Sequence, residues 1–178
     1  MEATTRTMMI GKTPVPVIER ELNHQDLEYY PENPRVFTAL QSSGEDIPSQ
    51  ATIERTMQKL DSVKKLRISI EANGGLMNPI IVRGNTVLEG NSRLAAYRLL
   101  AAKDPIKWAK IRCNVLPDDI SDELVFNLLG TYHIIGQTPW SPFEQAGYLY
   151  RTKQKSRKNI KAIAKELGMK LSDAELYI

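Results

Sequence analysis

Apolar and polar positions along this chain follow two periods, and each change of period marks an element. Val15 to Ile18 and Leu27 to Tyr30 predict short strands, the second closed by the stiff turn Pro31-Glu32-Asn33-Pro34-Arg35. Thr38 to Gln50 is rich in Ser, Gly, Asp and Pro and reads as a loop. Thr52 to Leu60 and Ser62 to Asn73 have helical spacing, and Ala72-Asn73-Gly74-Gly75 is a strong stop. Pro79 to Arg83 returns to strand, Gly84-Asn85 suits a two-residue hairpin, and Thr86 to Leu88 is the returning arm. Glu89-Gly90 then ends the sheet. Asn91 or Ser92 is the expected cap of a helix carrying Leu94, Ala95, Leu99 and Leu100 on its apolar face. Arg98 lies roughly 140° round that helix from Arg93 and is expected in solvent. Asp104-Pro105 breaks the chain, Trp108 is expected to pack the helix back, and Ile111 to Leu116 adds a strand.

The remainder reads as helices. Ser121 caps one whose Leu124, Val125, Leu128, Leu129 and Tyr132 form a single stripe, with Gly130 weakening its last turn. Ser141 with Glu144 is a capping box, and Pro142 holds the favoured first position. Asn159 or Ser156 caps a helix with Ile160, Ile163, Ala164 and Leu167 inward; Gly168 turns the chain, and Ser172 with Glu175 reads as a second capping box. This is a helix-turn-helix pattern, or else a plain three-helix packing element. It stops at Ile178 in mid-helix, which we read as the edge of a longer chain. The expected fold class is α/β, a small mixed sheet with helices, followed by an all-helical helix-turn-helix segment. Residues 1–13 are expected to be a flexible arm, 14–118 the α/β domain and 119–178 the helical linker and helix-turn-helix.

Composition narrows the classes. At 42% hydrophobic and 25% charged residues the chain suits a globular protein, and no apolar run nears the ~18 residues that would span a bilayer. The first residues lack a secretory signal, so a cytoplasmic protein without a membrane partner is expected. One cysteine and two histidines argue against disulfides or a structural zinc, and Cys113 falls in a strand where a packed, inert thiol is expected. The net charge of +3 hides an asymmetry: residues 151–170 hold eight Lys and Arg against Glu166 alone, a charge of +7 on a body of −4. Such a block suits a polyanion. The candidate DNA contacts are Lys155, Arg157, Lys158, Lys161, Lys170 and Ser172; four to six phosphate contacts would give a log–log salt slope of roughly −4 to −5.

The chemistry centres on Gly74 to Leu100. A strand feeding a glycine turn that opens a helix directs backbone N–H groups and the positive dipole end at one point, which favours an anion there. Arg93 in the first helical turn is placed to add a bidentate phosphate contact.

This stretch resembles the N-terminal domain of ParB-type partition proteins, a nucleotide-binding fold shared with sulfiredoxin and some free-serine kinases. Gly75-Leu76-Met77-Asn78-Pro79 matches the family's glycine, two residues, Gln-Pro motif, with Asn for Gln. Gly90-Asn91-Ser92-Arg93 matches Gly-Glu-Arg-Arg at its first and last residues. Asn33-Pro34-Arg35, Ser69-Ile70 and Trp140-Ser141-Pro142-Phe143-Glu144-Gln145-Ala146 also fall in matching places. His133 and Ile134 stand where the family has the Glu and Asn that hold metal and phosphate, and Gln137 where it has Arg. The resemblance implies a nucleoside triphosphate, CTP in the partition proteins, bound with Mg²⁺ by Gly75, Met77, Asn78, Pro79, Glu89, Gly90, Asn91, Ser92 and Arg93. Arg35 either reaches that pocket or pairs with an acid, and His133 either donates to phosphate or packs. It also implies a homodimer on double-stranded DNA, and leaves slow CTP hydrolysis open. Sulfiredoxin chemistry is disfavoured because Ser92 stands where its cysteine would be. Two alternatives remain: a small-molecule kinase or nuclease using Glu89 as general base or Mg²⁺ ligand, and a DNA-binding regulator that takes no nucleotide.

Overall fold

The computed structural model describes residues 4–34, 48–135, 140–156 and 158–177. Six strands occur among them: β1 Thr4–Ile10, β2 Thr13–Asn23, β3 Glu28–Tyr29, β4 Ile80–Arg83, β5 Thr86–Glu89 and β6 Lys110–Leu116. They form one sheet in the order β1-β2-β6-β4-β5-β3, parallel at β4–β6 and β3–β5 and antiparallel elsewhere. The helices are α1 Gln50–Lys59, α2 Asp61–Asn73, α3 Asn91–Ala101, α4 Asp122–Gly130, α5 Pro142–Ser156, α6 Ile160–Leu167 and α7 Leu171–Glu175. A π-helical turn, Thr131–Ile135, extends α4. The fold class is therefore α/β with a mixed sheet, as expected.

Alternation along the strands divides the apolar side chains between two cores. Ile80, Val82, Val87, Ile111 and Cys113 meet α1, α2 and α3 through Ile53, Met57, Val63, Ile70 and Leu94. Ile81, Leu88 and Leu116, with Val15 and Val17, meet the later helices through Phe126, Leu129, Leu149, Ile163 and Leu167. Each such side chain, once fully buried, contributes about 1.5–3 kcal/mol. Helices α4 to α6 thus share a core with the sheet. Trp108 packs edge-on against Tyr97 of α3, centroids 5.2 Å apart, and buries as expected.

Several expectations are corrected. Thr4–Ile10, expected in a flexible arm, pairs with β2 from Thr4↔Glu19 to Ile10↔Thr13 across the turn Gly11-Lys12. Only Ile10 of that strand is buried, so its backbone ladder, not an apolar stripe, defines it. The first helix begins at Gln50, capped by Ser49, whose Oγ accepts from Thr52 N at 3.2 Å. Helix α3 is capped by Gly90 at φ 101°, not by the side chain of Asn91 or Ser92. Ser172 and Glu175 form no capping box: α7 starts at Leu171 after Lys170, with no side-chain cap, and the Ser172 hydroxyl lies against Asp173. The Ser121, Ser141–Glu144 and Asn159 caps are all present. Arg35, Gln137, Arg157 and most of the Thr38 to Gln50 loop lie outside the described residues.

Candidate functional site: a cleft at the head of α3

The turn between β5 and α3 can be built only with glycine. Gly90 sits in the left-handed region, and a Cβ there would lie 2.5 Å from Ile80 Cγ2 and 3.1 Å from Arg93 Nη2. Just before it the ladder slips: Val87 pairs with Val82, Glu89 with Ile81, and Leu88 is the extra residue of a bulge. Asn91 supplies rigidity in place of the expected cap. Its Oδ1 accepts from Tyr30 N at 3.0 Å and its Nδ2 donates to Val87 O at 2.9 Å, so a side chain 3% exposed ties the turn to the segment after β3.

A cleft of about 780 Å³ opens over this turn. Gly90, Asn91, Ser92 and Arg93 line it with Glu89; Gly75, Met77, Asn78 and Pro79 form a second wall, and His133 a third. The structure thus brings together every sequence-predicted ligand residue except Arg35, which is not described. The wall at 75–79 is held from two sides. Arg112 Nη1 donates to Leu76 O at 3.3 Å, and Arg93 Nη1 donates to Asn78 O at 2.7 Å and Pro79 O at 3.0 Å. Arg112 is itself held by Glu19 at 2.6 Å, and that hydrogen bond, reinforced by Arg6, keeps the Glu19 carboxyl below its ordinary range.

Arg93 has a further partner that the sequence did not disclose. Its Nη2 donates to Glu89 Oε2, with both side chains largely buried. His133 is held by packing: its ring stacks on Trp140 with centroids 4.3 Å apart, and its carbonyl accepts from Trp140 N at 2.8 Å. Beside it Tyr132 is 40% exposed; burial raises its hydroxyl pKa, and the Glu89 charge adds to the rise.

Further lining residues escaped the sequence reading. Ser62, Leu66, Ser69 and Asn73 recur at one helical face of α2, and Asn114 is the one amide side chain of β6. The polar stripe on α2 and the isolated amide were the signals available. Glu89 is the one carboxylate among the described cleft residues, and no group of three His, Cys, Asp or Glu gathers among the described residues. That donor set fits Mg²⁺ held chiefly through a ligand's phosphates with one protein carboxylate, and does not fit a closed protein cage.

Elsewhere, Arg98 is not in solvent. It donates to Glu54 at 2.8 Å and to the carbonyls of His24 and Leu27 at 3.0 and 2.7 Å, and lies over the Tyr29 ring. Cys113 is buried and burial pushes its thiol up to about 12, an inert state as expected. Of the basic candidates, Lys161 and Lys170 are exposed, as is Ser172. Lys155 pairs with Glu32 at 2.5 Å, and Lys158 is bound to two glutamates. No helix among the described residues is long and apolar enough to cross a membrane.

No protein-family model and no curated protein matches the chain. Among solved structures it is similar to a Pnob8-like ParB-N domain at 15% identity and a TM-score of 0.48, over 93% of this chain and 50% of that one. It is also similar to the C-terminally truncated chromosome-partitioning protein ParB from Caulobacter crescentus complexed with CTP-gamma-S, at 16% identity and a TM-score of 0.40, over 88% of this chain and 74% of that one. The chain spans half the length of the first of these.

Proposed function

We propose that this chain is a nucleotide-responsive DNA-binding protein of the ParB type. In this reading the cleft takes a nucleoside triphosphate, CTP favoured, with Mg²⁺, and the basic segment after α5 takes double-stranded DNA as part of a homodimer. The observation that carries it is the convergence of three separate stretches, 75–79, 89–93 and His133, on one cleft at a helix N-terminus. First-turn N–H groups of a helix have no acceptor within the helix, so the head of α3 favours a phosphate. The apolar members Leu66, Ile70, Leu76 and Met77 suit the face of a base. Glu89 with the phosphates would hold Mg²⁺, whose chemistry here is to offset triphosphate charge.

A route from cleft to basic helices supports the responsive part. Thr131, Tyr132 and His133 line the cleft, and the residue before them, Gly130, is pressed against the Leu167 side chain of α6. A ligand that shifts the π-helical turn therefore pushes on α6, provided it binds one arrangement better than the other.

Calorimetry with CTP, ATP and GTP in Mg²⁺ tests the reading. Binding of at least one, weakened by Arg93→Ala, is expected; titrations flat for all three would overturn it. One observation favours the regulator that binds no nucleotide: Arg93 already has Glu89 and two carbonyls as partners. DNA binding indifferent to nucleotide and to Arg93→Ala would select that reading instead.

A further inference from the structure

The anion end of the cleft is closed by the protein's own carboxylate. Arg93 Nη2, the nitrogen that donates to Glu89, lies 3.1 Å from the point a Gly90 Cβ would occupy, so the guanidinium folds back over the turn. Its Nη1 is tied to the carbonyls of Asn78 and Pro79. Glu89 reaches this point because the Leu88 bulge brings it opposite Ile81, a slot that uninterrupted pairing would give to Leu88. The charges of the pair cancel, and apart from His133 the remaining described lining carries only amides, hydroxyls and apolar groups.

We propose that Glu89 is an intramolecular competitor for the ligand's phosphate: it occupies Arg93 in the empty cleft and must be expelled before a phosphate can use that guanidinium. This rests on the nucleotide reading above and adds its regulation. Two anions cannot share one guanidinium in a half-buried turn without repelling each other. A free nucleotide therefore binds weakly, and the latch favours ligands whose own charge is already partly neutralised. Glu89 is thus a negative determinant of affinity for the metal-free nucleotide, at a position where a mere wall residue would be neutral or supportive.

The experiment is a double-mutant cycle read by calorimetry with CTP as the probe in EDTA, with a parallel series in Mg²⁺. Glu89→Gln is expected to tighten CTP binding in EDTA by about tenfold, the scale of one charge-assisted hydrogen bond regained by the ligand. Glu89→Met, a second uncharged variant, shifts affinity the same way and serves if the first fails to fold, which thermal melting reports. Adding Arg93→Ala to either variant removes the gain, because the gain acts through that guanidinium. Affinity in EDTA unchanged or lower in the uncharged variants, with wild type still binding in Mg²⁺, overturns the latch and leaves the nucleotide site standing. Flat titrations for every protein in both series overturn the nucleotide reading and the latch with it.

Discussion

Lys158 Nζ donates to Glu166 Oε1 at 2.8 Å. The same ammonium reaches Glu123 Oε1 at 3.3 Å, so one lysine bridges α4 and α6. A residue expected to meet DNA is thus engaged within the protein, and these hydrogen bonds hold its pKa above the ordinary lysine value of 10.5. Lys158→Met should lower the melting temperature by ~2–4 °C, as a loss of about 1 kcal/mol does in a chain of this size. The pair's contribution is complete at neutral pH and fades as pH rises through the raised pKa. An unchanged melting temperature would mean that the bridge contributes nothing in solution.

Lys161 and Lys170 have exposed side chains on the same segment. If they touch DNA phosphates, Lys161→Ala and Lys170→Ala should each flatten the log–log salt slope by about 1. Lys158→Met should alter it less. Equal slopes for wild type and both alanine variants would remove these two lysines from the interface.

Gly90→Ala tests the turn. The variant forces an alanine to φ 101° and its methyl against Ile80, a buried side chain that cannot retreat into solvent. A loss of about 2–4 kcal/mol is expected from urea unfolding. A loss below ~1 kcal/mol would show that the turn relaxes freely, against the geometry described.

Asn91→Ala removes two hydrogen bonds made by one buried amide and leaves Tyr30 N and Val87 O without it. About 2–3 kcal/mol of stability should go. Had the side chain been a simple helix cap, the loss would centre on ~1 kcal/mol, so the size of the effect separates the two roles.

His24 gives a pH signature. Burial, with the Arg98 charge beside it, holds its pKa below the ordinary 6.5, and Glu54 and Asp26 only partly oppose this. The unfolded chain then binds the proton more readily than the folded one, so this contribution is complete above pH 6.5 and is lost as pH falls through the depressed value. Urea midpoints from pH 5 to 7.5 should rise with pH, and His24→Gln should flatten that slope. A wild-type slope retained in the variant would assign the effect to other groups.

Sequence periodicity was enough to place β4, the Gly84-Asn85 hairpin, α3 and the caps at Ser121, Ser141 and Asn159, because each depends on neighbours within a few residues. It missed β1, where Thr4 to Met9 bury almost nothing and the strand exists through pairing with β2. Arg98 was misplaced for a related reason: an angle around α3 says nothing of Glu54 or the His24 and Leu27 carbonyls, which arrive from distant stretches. The cleft walls at 75–79 and 89–93 were legible as two short motifs. The partner of Arg93 was not, since strict alternation gives no hint that the chain slips by one residue at Leu88.

That slip makes the pairing register of β5 a chemical variable. Pairing without the slip would seat Leu88 opposite Ile81 and Glu89 opposite Ile80, and would turn the carboxylate to the other face, away from the guanidinium it now neutralises. Register at one point of a strand thus sets the electrical polarity of the cavity floor, with no charged residue gained or lost.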